Sequence, residues 1–164
     1  MPEQWPVLSE MTEAKERPII KDLSKMLGEA MKDKEKEVSM RKIRITAGNI
    51  SATAVLHDNS TADAIWDALP IEAQVNTWGE EIYFQIPVYL DEADDARETL
   101  DMGHLGYWPS GHAFCIFFGP TPVSSGNEIR AASAVNIFGQ VKGDAAIFTR
   151  VRNGAVIKIE KAEG

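Results

Sequence analysis

The stretch that decides the fold runs from Met102 to Pro122 and reads MGHLGYWPSGHAFCIFFGPTP. It contains two apolar runs, residues 104–108 and 112–118, separated by Pro-Ser-Gly. Proline fixes φ and glycine accepts a positive φ, so this tripeptide favours a tight turn. The second run is apolar at nearly every position, which is typical of a strand covered on both faces. We therefore predict two antiparallel strands of a buried sheet, ended by the Gly-Pro-Thr-Pro segment.

Further short strands flank this hairpin, because apolar and polar residues alternate along several segments. The predicted strands are residues 42–47, 50–56, 71–77, 81–88, 134–141 and 155–160. Two helices are expected, one near Ser60–Leu69 with Asp63 completing a capping box, and one near Asp144–Arg152 with Asp144 as N-cap. We expect residues 91–101 to form a loop or short surface helix, and residues 123–133 a polar connection. Many short strands favour a sandwich or a closed barrel.

The first 39 residues differ from the rest of the chain. Three prolines and scattered charges make their start loop-like, and the spacing of Ile20, Leu23 and Leu27 then predicts an amphipathic helix within residues 18–36. We expect residues 1–39 to be an extension and residues 40–164 to be the main domain. The apolar face of this helix would pack on the domain or on a second copy, which makes a homo-oligomer a candidate assembly.

Composition limits the possible partners and the cellular compartment. The net charge of −8 argues against nucleic acid and anionic membranes as partners. A single cysteine, Cys115, excludes an intrachain disulfide and a cysteine-based zinc site, and its apolar strand favours a core residue over a nucleophile. No apolar stretch is long enough to span a membrane, and the N-terminus lacks the features of a signal peptide. We expect a soluble, cytoplasmic protein.

Three blocks of sequence resemble a known family. They are VNTWGEEIYFQIPV at residues 75–88, GHLGYWPSGHAFCIFFGPTP at residues 103–122 and ASAVNIFGQVKGD at residues 132–144. Together they closely resemble a small family of bacterial and archaeal cyclophilin-like proteins of unknown function. The resemblance extends from Met40 to the C-terminus and implies a mainly β fold, a closed eight-stranded β-barrel capped by two helices.

The resemblance to true cyclophilins is weaker. Residues 117–118 are similar to their paired phenylalanines, and residues 138–141 are similar to their Phe-Gly-x-Val segment. The cyclophilin arginine that polarises the substrate amide would fall within residues 76–79, which contain no arginine. Their histidine falls on Val135 and their tryptophan near Arg130. The resemblance therefore implies a shared scaffold from which most of the isomerase groups are missing, and the fold alone does not transfer the activity.

The aromatic residues suggest a binding pocket, although the same rings could simply be barrel core. The candidate pocket residues are Trp78, Tyr83, Tyr107, Trp108, Phe118 and the loop Pro120–Pro122. In particular, we expect Trp78, Tyr107 and Phe118 to border one concave site. Glu80 and Glu81 are adjacent, so they point to opposite faces of a strand and only one can face the pocket. The first hypothesis is a binding module for a small molecule or a peptide, with this glutamate contacting a cationic or hydrogen-bonding group.

The second hypothesis is an enzyme, either a residual prolyl isomerase or a hydrolytic or isomerising activity that uses Glu80 or Glu81. No catalytic residue can be assigned from the sequence. Ser133 and Asn136 could bond to a ligand, although polar residues at such positions are commonly structural. The three histidines lack metal-ligand spacing, and the acidic run at residues 91–101 lacks the glycine and final glutamate of an EF-hand. We therefore expect no metal and no cofactor.

Overall fold

The computed structural model describes residues 41–162. Ten β-strands, one α-helix and two short 3₁₀ helices lie within this range. Their bounds are β1 Lys42–Ala47, β2 Ile50–Leu56, α1 Ser60–Ala68, β3 Ile71–Gln74, β4 Asn76–Thr77, β5 Glu81–Gln85, β6 Arg97–Leu100, β7 His104–Trp108, β8 Ala113–Phe117, β9 Ile129–Val141 and β10 Val156–Ala162, with 3₁₀ helices at Pro109–Gly111 and Ala145–Arg150. The N-terminal helix expected within residues 18–36 lies outside the described residues.

The strands form one antiparallel sheet in the order β3-β10-β1-β2-β9-β7-β8-β5-β4, with β6 paired to β9. The predicted central hairpin is β7–β8, in which Leu105 pairs with Ile116 and Trp108 with Ala113. A mainly β fold is therefore confirmed. Among residues 41–162, there is no helix with the length and apolarity that a membrane span requires.

The expected closed barrel of eight strands is wrong, because the hydrogen-bonded path remains open between its end strands β3 and β4. These two strands follow each other through Val75. The Val75 N–H donates to the Ala155 carbonyl oxygen at 2.8 Å, and its own carbonyl oxygen accepts from the Gly154 N–H at 2.7 Å. These bonds tie Val75 to the turn before β10 and split the single strand predicted at residues 71–77. This split and the additional strand β6 raise the count from eight to ten.

The helix ends follow the predicted capping chemistry with two differences. Asn59, rather than Ser60, is the N-cap of α1, and its side-chain oxygen accepts from the Ala62 N–H at 2.9 Å. Asp144 is the predicted N-cap of the second helix and accepts from the Ala146 N–H at 2.9 Å. That second helix is 3₁₀ and ends at Arg150, so it is shorter than predicted.

Strand β8 is buried along its whole length, and its two faces belong to two different apolar clusters. Phe114 belongs to the main core, where its ring stacks on Phe84 and meets Phe138 edge-on, both at 5.0 Å between ring centroids. Cys115 and Phe117 belong to a second, smaller cluster. The remaining buried members of this second cluster are Leu100, Ala113, Ile129, Ala131 and Val135. Two faces of one strand therefore serve two separate apolar interiors.

Two segments that contribute residues to the second cluster differ from the predicted secondary structure. Residues 97–100 form β6 rather than a loop or helix, and residues 129–133 begin the 13-residue strand β9 rather than a polar connection. Ile129 and Ala131 are buried at alternate positions, which anchors the start of β9 in this cluster. These two strands pair with each other, and β9 forms one wall of the candidate site.

Candidate functional site

A cavity of about 270 Å³ opens beside the second apolar cluster. Trp78 precedes β5, Glu81 and Tyr83 occupy alternate positions of β5, and Trp108 ends β7. The other lining residues come from β9 and are Ala131, Ala132 and Val135. Because residues two apart on a strand share a face, β5 presents a carboxyl group and an aromatic ring to the same space. These four polar and aromatic residues are all predicted pocket residues, and the structure brings them together.

The path of β9 leaves room for this cavity. Arg97 of β6 pairs with Val135 of β9, whereas Thr99 pairs with Arg130, so a bulge interrupts the ladder between them. A bulge bends a strand and re-aims its side chains. The small side chains of Ala131 and Ala132 lie within the bulged segment, and they line the cavity without filling it.

Two glycines allow the close approaches that fix the walls. A β-carbon on Gly106 of β7 would lie 2.8 Å from Val135 Cγ2, so only glycine lets β9 pack this closely on β7. Gly79 has φ +60°, and a β-carbon there would lie 2.8 Å from Pro122 Cδ. The absence of a β-carbon at Gly79 allows the turn that carries Trp78 to lie against the Gly-Pro-Thr-Pro loop.

Glu81 is the buried polar group of the cavity. It is only 6 % exposed, and its Oε1 atom has no hydrogen-bond partner among the residues that the structure describes. Burial raises the pKa of Glu81 from 4.5 to about 7, while a weak hydrogen bond from the Cys115 thiol acts in the opposite direction. A carboxyl group with this pKa exchanges its proton near neutral pH, so it can act as a donor or as an anion.

Cys115 lies behind Glu81 and is fully buried. Burial, and then the negative charge of Glu81, raise the pKa of this thiol well above its ordinary value. Its Sγ atom also lies 3.9 Å from the Ala113 carbonyl oxygen. The thiol is therefore close to two acceptors, this oxygen and the Glu81 carboxyl group, and a thiol is only a weak donor to either. A thiol with a raised pKa is a poor nucleophile, which is consistent with the structural role expected from its strand.

Trp108 is anchored to the bulged segment of β9. Its indole Nε1–H donates to Ser133 Oγ at 2.6 Å. The ring also covers the turn after β7, since a β-carbon on Gly111 would lie 2.5 Å from the Trp108 ring carbons. This aromatic wall is therefore held in place from two sides.

Tyr107 and Phe118 do not line the cavity, so the prediction that both border one site with Trp78 is wrong. Tyr107 is fully buried in the main core, and its hydroxyl donates to the Val88 carbonyl oxygen at 2.6 Å. It neighbours Trp108 on β7 and therefore points to the opposite face. Phe118 also belongs to the main core, where its ring lies 6.2 Å from that of Phe148.

The other three sequence candidates also lie outside the cavity lining. Glu80 is exposed and its carboxyl group packs against Gly119, so of the two adjacent glutamates only Glu81 faces the cavity. Pro120 is exposed, and its carbonyl oxygen accepts from the Glu80 N–H at 3.0 Å. Asn136 is buried and holds the loop after β5, because its Oδ1 accepts from the Ala93 N–H at 2.8 Å. Its role in these contacts is structural.

Arg130 lies next to the cavity wall, but acidic partners hold its guanidinium group. Its Nε donates to Glu128 and its Nη1 to Glu98, each at 2.9 Å. Arg130 would have to leave these bonds to take the place of the missing cyclophilin arginine. Within residues 41–162, no cluster of three or more histidine, cysteine, aspartate or glutamate side chains has the geometry of a metal site.

A larger, open depression of about 820 Å³ lies between β1, β2 and the second 3₁₀ helix. It exposes the basic side chains Lys42, Arg44 and Lys142, and it lacks a buried titratable side chain or an aromatic wall. Ligand sites are typically concave and lined by apolar and aromatic groups with a few placed polar atoms. The smaller cavity around Glu81 fits this description better than the larger depression.

Comparison with known proteins identifies the family. Residues 41–160 match the Cyclophilin-like family. The chain belongs to this family. The solution structure of a hypothetical protein from Archaeoglobus fulgidus is similar, with a TM-score of 0.65 and 34 % sequence identity over 75 % of this chain and 95 % of that one. A search of curated proteins finds no match. The Cyclophilin-like assignment agrees with the resemblance found in the sequence blocks.

Proposed function

We propose that this Cyclophilin-like protein is a binding module that takes a small molecule, or one side chain of a peptide, into the cavity around Glu81. The observation that carries the proposal is the unpaired Oε1 atom of a carboxyl group that is only 6 % exposed. Buried polar atoms almost always have a hydrogen-bond partner, and an unpaired one costs free energy. A ligand group that pairs with the Glu81 carboxyl group would offset that cost.

The size of the cavity restricts the ligand. Its volume of about 270 Å³ is near the lower end of the usual range for ligand pockets, which begins at about 300 Å³. The lining consists of three aromatic side chains, three small or aliphatic ones and one buried carboxyl group. These features favour a compact, partly apolar group over an extended peptide backbone.

A thermal-shift screen of a small-molecule library tests the proposal, because a ligand that binds only the native state raises the melting temperature. We expect hits for the wild type and a reduced shift for Glu81→Gln. Glu80→Gln is the matched control, since Glu80 is the neighbouring carboxyl group but does not line the cavity. Hits that respond equally to both substitutions, or no hits at all, would contradict the proposal.

A second candidate function is an enzyme that uses Glu81 for proton transfer. It is favoured by the pKa of about 7, since a general acid or base works best when its pKa is near the working pH. Prolyl isomerase activity is the least supported form, because no arginine is among the cavity-lining residues and Arg130 is bonded to two glutamates. We expect weak or no turnover in a protease-coupled assay on a proline-containing peptide.

We further propose that residues 1–39 form a separate segment that mediates self-association of a cytoplasmic protein. This proposal rests on the sequence pattern alone. Removal of residues 1–39 should leave the sheet signal in circular dichroism unchanged and should reduce the sedimentation coefficient to that of a monomer. Loss of the sheet signal would mean that the segment belongs to the folded core.

A further inference from the structure

We infer that the ligand of this cavity carries an organic cation, which the rings of Trp78, Tyr83 and Trp108 surround and the Glu81 carboxylate neutralises. The inference rests on the proposed binding function and narrows it to one ligand class. Three aromatic side chains and one buried carboxyl group are four of the seven residues that line the cavity. The other three are small or aliphatic, so the one group of the described lining that can carry a charge near neutral pH is an acid, which favours a cationic ligand.

The aromatic walls supply the first part of the argument. A cation placed over the face of an aromatic ring is attracted by the ring quadrupole, most strongly by tryptophan, and quaternary ammonium groups are bound in this way in aromatic cages. Ser133 already accepts the indole N–H of Trp108 at 2.6 Å. The indole N–H is therefore already used, and the same bond fixes a ring that borders the cavity before a ligand arrives.

The absence of a countercharge for Glu81 supplies the second part. Among residues 41–162, none of those that line the cavity is a lysine, arginine or histidine. The groups around Glu81 on the packed elements are the uncharged Tyr83 on its own strand and the Cys115 thiol on β8. Strand β9 contains one basic residue, Arg130, and its guanidinium group bonds to Glu128 and Glu98. A buried carboxylate without a countercharge is costly, so a ligand cation would supply the positive charge that the described part of this site does not contain.

The charge of the whole chain acts in the same direction. Its net charge of −8 attracts cations and repels anions at long range. A neutral hydrogen-bond donor could also pair with Glu81 Oε1. Such a ligand would make no use of the ring quadrupoles, and the experiment separates it from a cation.

The test compares choline with its neutral isostere 3,3-dimethylbutan-1-ol by isothermal titration calorimetry on the full chain. Both probes have the same branched shape, and only choline is charged. We expect choline to bind at least about tenfold more tightly than the isostere at about pH 8.5, where Glu81 is ionised. At about pH 6, choline binding should release a proton from Glu81, so the measured heat should depend on the ionisation enthalpy of the buffer.

Three variants locate the effect. Glu81→Gln should lose the proton release and most of the preference for choline, with the remainder due to the aromatic rings. The neutral isostere should still bind, which confirms that the cavity is intact. Glu80→Gln should behave as the wild type. Tyr83→Leu should weaken choline binding by about 3- to 30-fold, the range expected for the loss of one cation–π contact, with little effect on the isostere.

The outcomes separate this inference from the proposed function. If the isostere binds as tightly as choline, or if other neutral compounds give shifts that depend on Glu81 while choline does not, the cation inference is overturned and the binding function stands. If neither probe nor any library compound binds in a Glu81-dependent manner, both are overturned. Choline binding that Glu81→Gln leaves unchanged would also overturn the inference.

Discussion

Replacing Glu81 by glutamine should change how the stability of the protein depends on pH. The Glu81 pKa is raised from 4.5 to about 7 in the native state, chiefly by burial. Between these two values the native carboxyl group keeps its proton, while the unfolded one has lost it. The native state then binds more protons, so the free energy of unfolding falls as the pH rises. The stabilisation by the neutral form is complete below pH 4.5 and is lost as the pH passes through 7.

The size of the effect follows from the difference of about 2.5 between the two pKa values. Each pKa unit corresponds to about 1.4 kcal/mol, so ionising Glu81 in its cavity costs the native state about 3 kcal/mol. Glutamine has nearly the same shape and does not ionise. The difference in unfolding free energy between Glu81→Gln and the wild type should therefore move by about 3 kcal/mol in favour of the variant between about pH 4 and about pH 8.5.

Urea unfolding of the wild type, Glu81→Gln and Glu80→Gln at a series of pH values measures this difference directly. Other titrating groups are common to all three proteins and cancel in the comparison. The Glu80→Gln curve should follow the wild type, because Glu80 is exposed. If the Glu81→Gln and wild-type curves run parallel over this pH range, Glu81 is not a buried acid with a raised pKa and the description of the site is refuted.

Three further predictions concern the scaffold and the alternative activity. Asn136→Ala removes the bonds to Ala93 and to the Asp91 carbonyl oxygen, so urea unfolding should give a loss of about 2 to 4 kcal/mol. Gly106→Ala should cost about 1 to 3 kcal/mol and change the near-ultraviolet signal of the aromatic residues, because its β-carbon would meet Val135 at 2.8 Å. Prolyl isomerase turnover should be weak or absent and the same in Arg130→Ala; turnover typical of a cyclophilin that this substitution abolishes would restore the enzyme hypothesis.

The alternation of apolar and polar residues was sufficient to predict most of the strands, because it reflects a local property of the backbone. Closure of the sheet is not local. Residues 71–77 alternate as one strand does, and the break at Val75 arises from its bonds to the turn at Gly154 and Ala155. The sequence also predicts the start of β9 too late. Residues 129–133 follow the polar residues 123–128 and are predicted as part of the same connection, whereas they begin the strand.

The site was predictable where residue type and strand geometry act together. The two-residue period of a strand predicts that only one of Glu80 and Glu81 can face the cavity. The structure selects Glu81, which shares its face of β5 with Tyr83. Tyr107 and Phe118 were misassigned because an aromatic ring in the core and one in a pocket look alike in a sequence. The alternation along β7 could have placed Tyr107 opposite Trp108. The wall formed by Ala131 and Ala132 depends on the bulge in β9. This bulge arises from the pairing of β9 with β6, and no local sequence pattern indicates it.

The central claim, that ligands bind in the cavity around Glu81, is tested most directly by the tryptophan indole signals in a nuclear magnetic resonance titration. Trp78 and Trp108 line the cavity, whereas Trp66 packs on the main core beneath Lys161, whose Nζ lies 4.7 Å from its ring centroid. Each signal can be assigned by a Trp→Phe substitution. Addition of a compound that stabilises the protein should move the Trp78 and Trp108 signals and leave Trp66 unchanged. Movement of Trp66 alone, or stabilisation without movement of Trp78 and Trp108, would contradict the claim.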